Sequence, residues 1–114
     1  MAIAEIKRGD IYYVKLEKTG SHIQDGMRPC LVIQNDKGNE YSPNTIVAPI
    51  TTAIKNKLAT HVRIPYGRAI RGTILCEAVV TISKDSILEN RKSDHLNEET
   101  MSKVDKALKV SVGL

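Results

Sequence analysis

Asp25-Gly26-Met27-Arg28-Pro29-Cys30-Leu31-Val32-Ile33-Gln34-Asn35-Asp36 joins a turn, one cation, a proline and an apolar run without a break. Gly26 frees the backbone at the turn, and Pro29 biases Arg28 towards extended conformation. Cys30 to Ile33 then reads as a buried strand closed by polar turn formers. The picture is a fixed cation at the lip of a strand. A guanidinium stays charged at any working pH and grips a phosphate through two donors. Taken by itself, the stretch reads first as a surface arginine ahead of a core strand.

The chain around it has 114 residues, which sets one domain spanning residues 1–114 as the expectation. Its core must be aliphatic, because the sequence holds no Phe and no Trp. A formal charge of +4 admits a polyanionic partner. Met1-Ala2-Ile3-Ala4-Glu5-Ile6-Lys7-Arg8 lacks the apolar core of a signal peptide, and no apolar run approaches the ~18 residues of a membrane span. A cytoplasmic protein is expected, with no membrane partner. Cys30 and Cys76 sit in apolar runs without metal-ligand spacing, so both are expected to be reduced and buried, with no metal and no cofactor.

Ile11 to Leu16 reads as a first strand after the Arg8-Gly9-Asp10 turn, with Tyr12, Val14 and Leu16 on one face. A polar loop, Glu17 to Gly26, carries His22 into the second strand, Pro29 to Gln34. Asn35 to Asn44 is rich in turn formers, and Thr45 to Ile50 forms a third strand that Pro49 places near an edge or bulge. Thr60 to Ile64 alternates as a fourth strand. Gly72 to Ile82 reads as a fifth, the longest, and Ser83 to Leu88 as a helical turn. A helix follows Asn97, a good N-cap, with Glu98 and Glu99 in its first turn and Leu96 and Met101 set as a hydrophobic staple. Met101, Val104, Leu108 and Ser111 or Val112 recur at helical spacing. Several short strands and one terminal helix predict a mainly β, strongly twisted small barrel.

The ordered set of segments resembles the MazF/PemK toxin endoribonucleases of bacterial toxin–antitoxin pairs. It comprises Lys7-Arg8-Gly9-Asp10-Ile11-Tyr12, Gly26 to Asp36, Gly38-Asn39, Tyr41-Ser42-Pro43, Ile46-Val47-Ala48-Pro49-Ile50-Thr51, Thr60-His61-Val62 and Val104-Asp105-Lys106-Ala107-Leu108. The resemblance covers nearly the whole chain. It implies an SH3-like barrel acting as a homodimer that cuts single-stranded mRNA at a short sequence, often with an ACA core. It also implies cleavage without metal, leaving a 2′,3′-cyclic phosphate and a 5′-hydroxyl. The implied catalytic pair falls on Arg28 and Thr51, and the implied partner is a small acidic, MazE-like antitoxin with a disordered tail. Two segments depart from the family pattern. Ser21-His22-Ile23-Gln24 stands where many relatives carry Gly-Ser-Glu-Gln or Gly-His-Glu-Gln, and Glu77-Ala78-Val79-Val80-Thr81-Ile82-Ser83 where they often carry Glu-Gln-Ile-Arg-Thr-Ile-Asp.

Cleavage by the 2′-hydroxyl needs a proton acceptor, a proton donor and fixed positive charge against the developing phosphorane. Arg28 suits the last role. Thr51 suits alignment of the phosphate or hydroxyl, and the proton carriers fall to His22 and Glu77. Glu77 reads equally as a structural partner for a strand arginine, while His61 and His95 lack obvious neighbours. Gln24 and Asp25 are placed to touch bases. Stacking falls to Tyr12, Tyr13, Tyr41, Tyr66 or an arginine plane. Lys55, Lys57, Arg63, Arg68 and Arg71, a stretch without an acid, are candidates to track phosphates. Two other readings stay open. One is a non-cleaving RNA-binding member of the same fold, which the departures at Ile23, Ala78 and Val80 admit. The other is a gyrase poison of the CcdB type, which the absence of a C-terminal tryptophan argues against.

Overall fold

In the computed structural model, which describes residues 5–16, 26–53, 57–89 and 91–114, the expected apolar run lies inside a seven-stranded antiparallel sheet. The strands are β1 (Asp10–Leu16), β2 (Gly26–Val32), β3 (Asn44–Thr51), β4 (His61–Arg63), β5 (Thr73–Leu75), β6 (Val80–Ser83) and β7 (Asp94–His95). Their order is β4-β5-β3-β2-β1-β7, with β6 also on β3. The sheet curls into a half-barrel, and α2 (Glu98–Val112) packs on one face.

Strand alternation gives each face its own core. Ile11, Leu31, Ala48, Ile50 and Ile74 point towards α2 and meet Met101, Val104 and Ala107. Tyr12, Val14, Cys30, Val32 and Val47 fill the other face with Ile6, Ile82 and Ile87. Because Cys30, Leu31 and Val32 are wholly buried within the chain, that run is consumed by the fold rather than left for a subunit contact. The missing aromatics are replaced by β-branched packing, which suits a pleated, doubly covered sheet.

Two sequence expectations change. The turn-rich connection contains a helix, α1 (Asp36–Tyr41): the Asn35 side chain accepts from the Gly38 N–H at 2.8 Å, nucleating a turn the composition had hidden. The long fifth strand is two strands. Ile74 lies opposite Ile50 and Val80 opposite Val47, both on β3. Five residues therefore face a two-residue interval, Ala48 and Pro49, and Pro49 has no N–H to offer. The surplus turns out of the sheet, closed by the Ala78 N–H on the Leu75 carbonyl at 3.1 Å.

The terminal helix forms as expected. Asn97 accepts from the Thr100 N–H at 2.9 Å, and Gly113 closes the last turn in the left-handed region. Ala107, rather than Leu108, is the fully buried residue of its third turn, and Val112 faces solvent. Arg8 ties three parts together, donating to the Ile33 carbonyl at 2.8 Å and pairing with Asp105 of α2 at 2.6 Å. Asp10, almost fully buried, accepts from the Lys7 N–H at 2.9 Å and contacts His95 Nδ1 at 2.6 Å. His95 therefore has a carboxylate neighbour far away in sequence. The shared Arg-Gly-Asp turn is a structural clasp.

Candidate active site

β2 carries Arg28 opposite Val14 of β1. On its other side β2 pairs with β3, where Cys30 faces Pro49 and Leu31 faces Ala48. Two residues beyond the last paired position, that register sets Arg28 across from Thr51. Cross-strand neighbours in an antiparallel pair project from the same face. Continued that far, the register gives Arg28 and Thr51 corresponding places on one face where β2 and β3 have stopped pairing.

Thr51 is held from three directions. It pairs with Thr73 of β5. Its Oγ1 accepts from the Ala53 N–H at 3.1 Å, so the hydroxyl proton remains available to donate. Gly72 presses on its carbonyl so closely that a Cβ there would lie 2.4 Å from the oxygen. Thr51 is 6% exposed, so its hydroxyl is held in place at the end of β3.

Arg28 lines a cleft of about 300 Å³, and so do Ile50 and Thr52, the two chain neighbours of Thr51. Tyr13, Met27 and Pro29 of β1 and β2 border it as well, with Ala69, Ile70 and Arg71 from the loop before β5. Among the described residues two arginines and no carboxylate line it, so its local field favours an anion. Tyr13 and Met27, both exposed, add apolar surface on which a base can lie.

The other candidates divide. His22, Gln24, Asp25 and Lys55 lie outside the described residues. Glu77 is not at the cleft: it follows β5 at the end away from Thr73 and contacts His61 Nε2 and Thr60 Oγ1, each at 3.0 Å. Partial burial pushes its pKa up, but hydrogen bonds from its own N–H, His61 and Thr60 prevail and hold the carboxyl below its usual range. It anchors β4 through a histidine rather than an arginine, and His61 gains the partner that its sequence neighbours lacked. Tyr41 is exposed at the end of α1, beside the start of β3, ~23 Å of strand away from Thr51. Lys57 is exposed ahead of β4 and does not line the cleft. Arg68 is an internal clamp: it pairs with Asp94 and donates to the His95 carbonyl at 2.5 Å. Tyr13, one of the stacking candidates, and Arg71, one of the phosphate-tracking candidates, do line the cleft, and Met27 is the cleft residue that the sequence left unassigned. Among the described residues no group of three or more His, Cys, Asp or Glu is placed to hold a metal ion, and no helix is long and apolar enough to cross a membrane.

This geometry has close counterparts. The chain is 47% identical over 113 residues to endoribonuclease EndoA of Bacillus subtilis (strain 168), covering 96% of each protein. Its fold matches MazF of Deinococcus radiodurans with a TM-score of 0.84 at 18% identity, over 96% of this chain and 97% of that one. It matches equally a mycobacterial endoribonuclease solved with its cognate antitoxin, with a TM-score of 0.82 at 22% identity and 96% of each chain covered. Residues 7–112 match the PemK-like, MazF-like toxins of type II toxin–antitoxin systems, and the chain belongs to that family.

Proposed function

We propose that this toxin cleaves single-stranded mRNA at a short sequence, using the adjacent 2′-hydroxyl as nucleophile and no metal. That it is an endoribonuclease follows from its family and from 47% identity to EndoA over nearly the full length. The observation that supports the finer mechanism is the register that sets Arg28 across from Thr51, with Arg28 and both chain neighbours of Thr51 lining a cationic cleft.

In this mechanism the 2′-oxygen attacks phosphorus, the P–O5′ bond breaks, and the products carry a 2′,3′-cyclic phosphate and a 5′-hydroxyl. Arg28 stays protonated throughout and offsets the extra negative charge on the equatorial oxygens. Thr51, with one lone pair engaged by Ala53, donates its proton to a phosphate oxygen and fixes the approach. Its hydroxyl is too weak a base to take the 2′ proton. That task falls to His22, whose ordinary pKa suits transfer near neutrality, and the departing 5′-oxygen takes its proton from water. Gln24 and Asp25, in the same loop, read bases.

The toxin works in the cytoplasm as a homodimer and is silenced by an acidic antitoxin whose tail occupies the cationic cleft. The mycobacterial and Deinococcus relatives solved with antitoxins support that partner. The departures at Ala78 and Val80 lie in the turn after β5 and at the start of β6, where Val80 packs on the second core. They are remote from the cleft, which favours the cleaving reading over a purely regulatory one.

The test is to incubate the protein with mixed-sequence RNA in EDTA and map the ends. Cuts at one short motif are expected. Arg28→Ala should slow cleavage by about 10²–10³-fold, and Thr51→Val, which keeps the buried volume, by about 10²-fold. Bound but uncut RNA would establish the regulatory reading, and gyrase trapping the poison.

A further inference from the structure

We infer that Arg71 is a substrate-binding residue that grips a phosphate flanking the scissile one, as the second cation of the cleft. This rests on the endoribonuclease reading above. Arg71, from the loop before β5, lines the same cleft as Arg28 of β2, so two arginines from separate elements border one site. It forms no ion pair among the described residues. Its guanidinium instead lies over the Tyr66 ring, 5.7 Å from the centroid, and Tyr66 is 96% exposed. An aromatic face steadies the cation without neutralising it, leaving its donors for a ligand.

The backbone beneath Arg71 is unusually well fixed for a hairpin loop. Arg68 clamps the loop to Asp94 of β7, and the Ala69 N–H donates to the same carboxylate at 3.2 Å. Ile70 is buried in the helix-side core, and the Gly72 carbonyl accepts from the Ile64 N–H at 3.0 Å. Residues 68, 69, 70 and 72 are therefore all tied down, and the residue between the last two lines an anion-favouring cleft. A cation held this way, rather than on a loose loop, loses little entropy on binding. Arg68, by contrast, spends its charge on Asp94 and serves only to place Arg71.

The experiment measures binding of a fluorescent RNA oligonucleotide carrying the mapped cleavage motif, with a 2′-deoxy sugar at the cut site, across a salt series. Arg71→Ala is expected to weaken binding about tenfold at low salt and to reduce the slope of log K against log[salt] by about 0.7, the share of one single-strand phosphate. On cleavable RNA, KM should rise by a similar factor with kcat within about twofold. Arg71→Lys should restore the slope, and Lys37→Ala, the same charge loss on α1, should leave it unchanged. An unchanged slope and KM in Arg71→Ala, or a loss confined to kcat, overturns the inference. If the parent protein cuts no RNA, the endoribonuclease mechanism fails, and the salt slope is read instead on a mixed-sequence RNA oligonucleotide, which needs no mapped motif and still decides the role of Arg71.

Discussion

Replacing Gly72 with alanine asks for two things the fold cannot give. The backbone there has φ +129°, and the new Cβ would sit 2.4 Å from the Thr51 carbonyl oxygen and 3.1 Å from Ile50 Cγ2. The conformational term alone costs about 1–3 kcal/mol. Relieving the overlap requires β3 and the loop to part by roughly 0.5–1 Å, and Ile50 is too well packed in the core to yield freely. A total loss of about 2–4 kcal/mol is expected, equivalent to a Tm lower by about 8–16 °C. The displaced residue carries the proposed phosphate-aligning hydroxyl, so the folded variant should also lose about 10²-fold in kcat at a temperature where it remains native. Gly26→Ala is the control. Its φ is +78°, with nothing among the described residues within 4 Å of the added Cβ, so the left-handed penalty of about 1 kcal/mol is the one expected. Thermal unfolding and single-turnover cleavage of both variants decide the matter. A Gly72→Ala protein within 0.5 kcal/mol of the Gly26→Ala protein, or fully active, would refute the claim that close approach at Gly72 sets the position of Thr51.

Two further outcomes follow from buried charge and buried sulfur. Asp94→Ala leaves Arg68 and the Ala69 N–H without their shared acceptor and should cost about 1–3 kcal/mol in urea unfolding. Burial pushes the Asp94 pKa up, but hydrogen bonds from Arg68 and nearby backbone prevail and hold it below its ordinary value of 3.8. Its contribution to stability is therefore complete above that value and drains away as pH falls through the lower folded one; the parent, but not Asp94→Ala, should show this acid-limb loss. Burial raises the Cys30 thiol to about 12 and the Cys76 thiol to about 11, so both should resist a thiol reagent at neutral pH and react together only on unfolding. Rapid labelling of the native protein would contradict that packing.

Elements with local causes were legible in the chain. The Asn97 cap, its acidic first turn and the apolar spacing of α2 act within a few residues, and the helix appears where they place it. The apolar run Cys30 to Ile33 and the alternation after Asp10 likewise announce strands. The fifth strand misled because an unbroken apolar stretch carries no record of what it faces. Its break is imposed by the length of β3 opposite and by Pro49. The 36–41 helix was masked because Asp, Gly and Asn score as turn formers, yet the Asn35 cap and the Thr45–Asn39 hydrogen bond of 2.6 Å hold them helical.

The same division runs through the site. Arg28 and Thr51 could be nominated as the catalytic pair because the motifs around them stand in order along one chain. Their adjacency was not, since it comes from an antiparallel register between strands whose two residues are 23 positions apart. The roles of Arg68, Arg71 and Glu77 were undecidable from charge alone: three ionised side chains in similar loops look alike until their partners are known. Asp94 and His61 come from distant segments, and they turn Arg68 and Glu77 into clamps while Arg71 is left facing the cleft. Local chemistry chose which residues this protein has to work with, whereas long-range pairing chose which of its charges are spent within the fold and which remain for a ligand, because an ion pair neutralises a side chain only when folding brings its partner within a few ångströms.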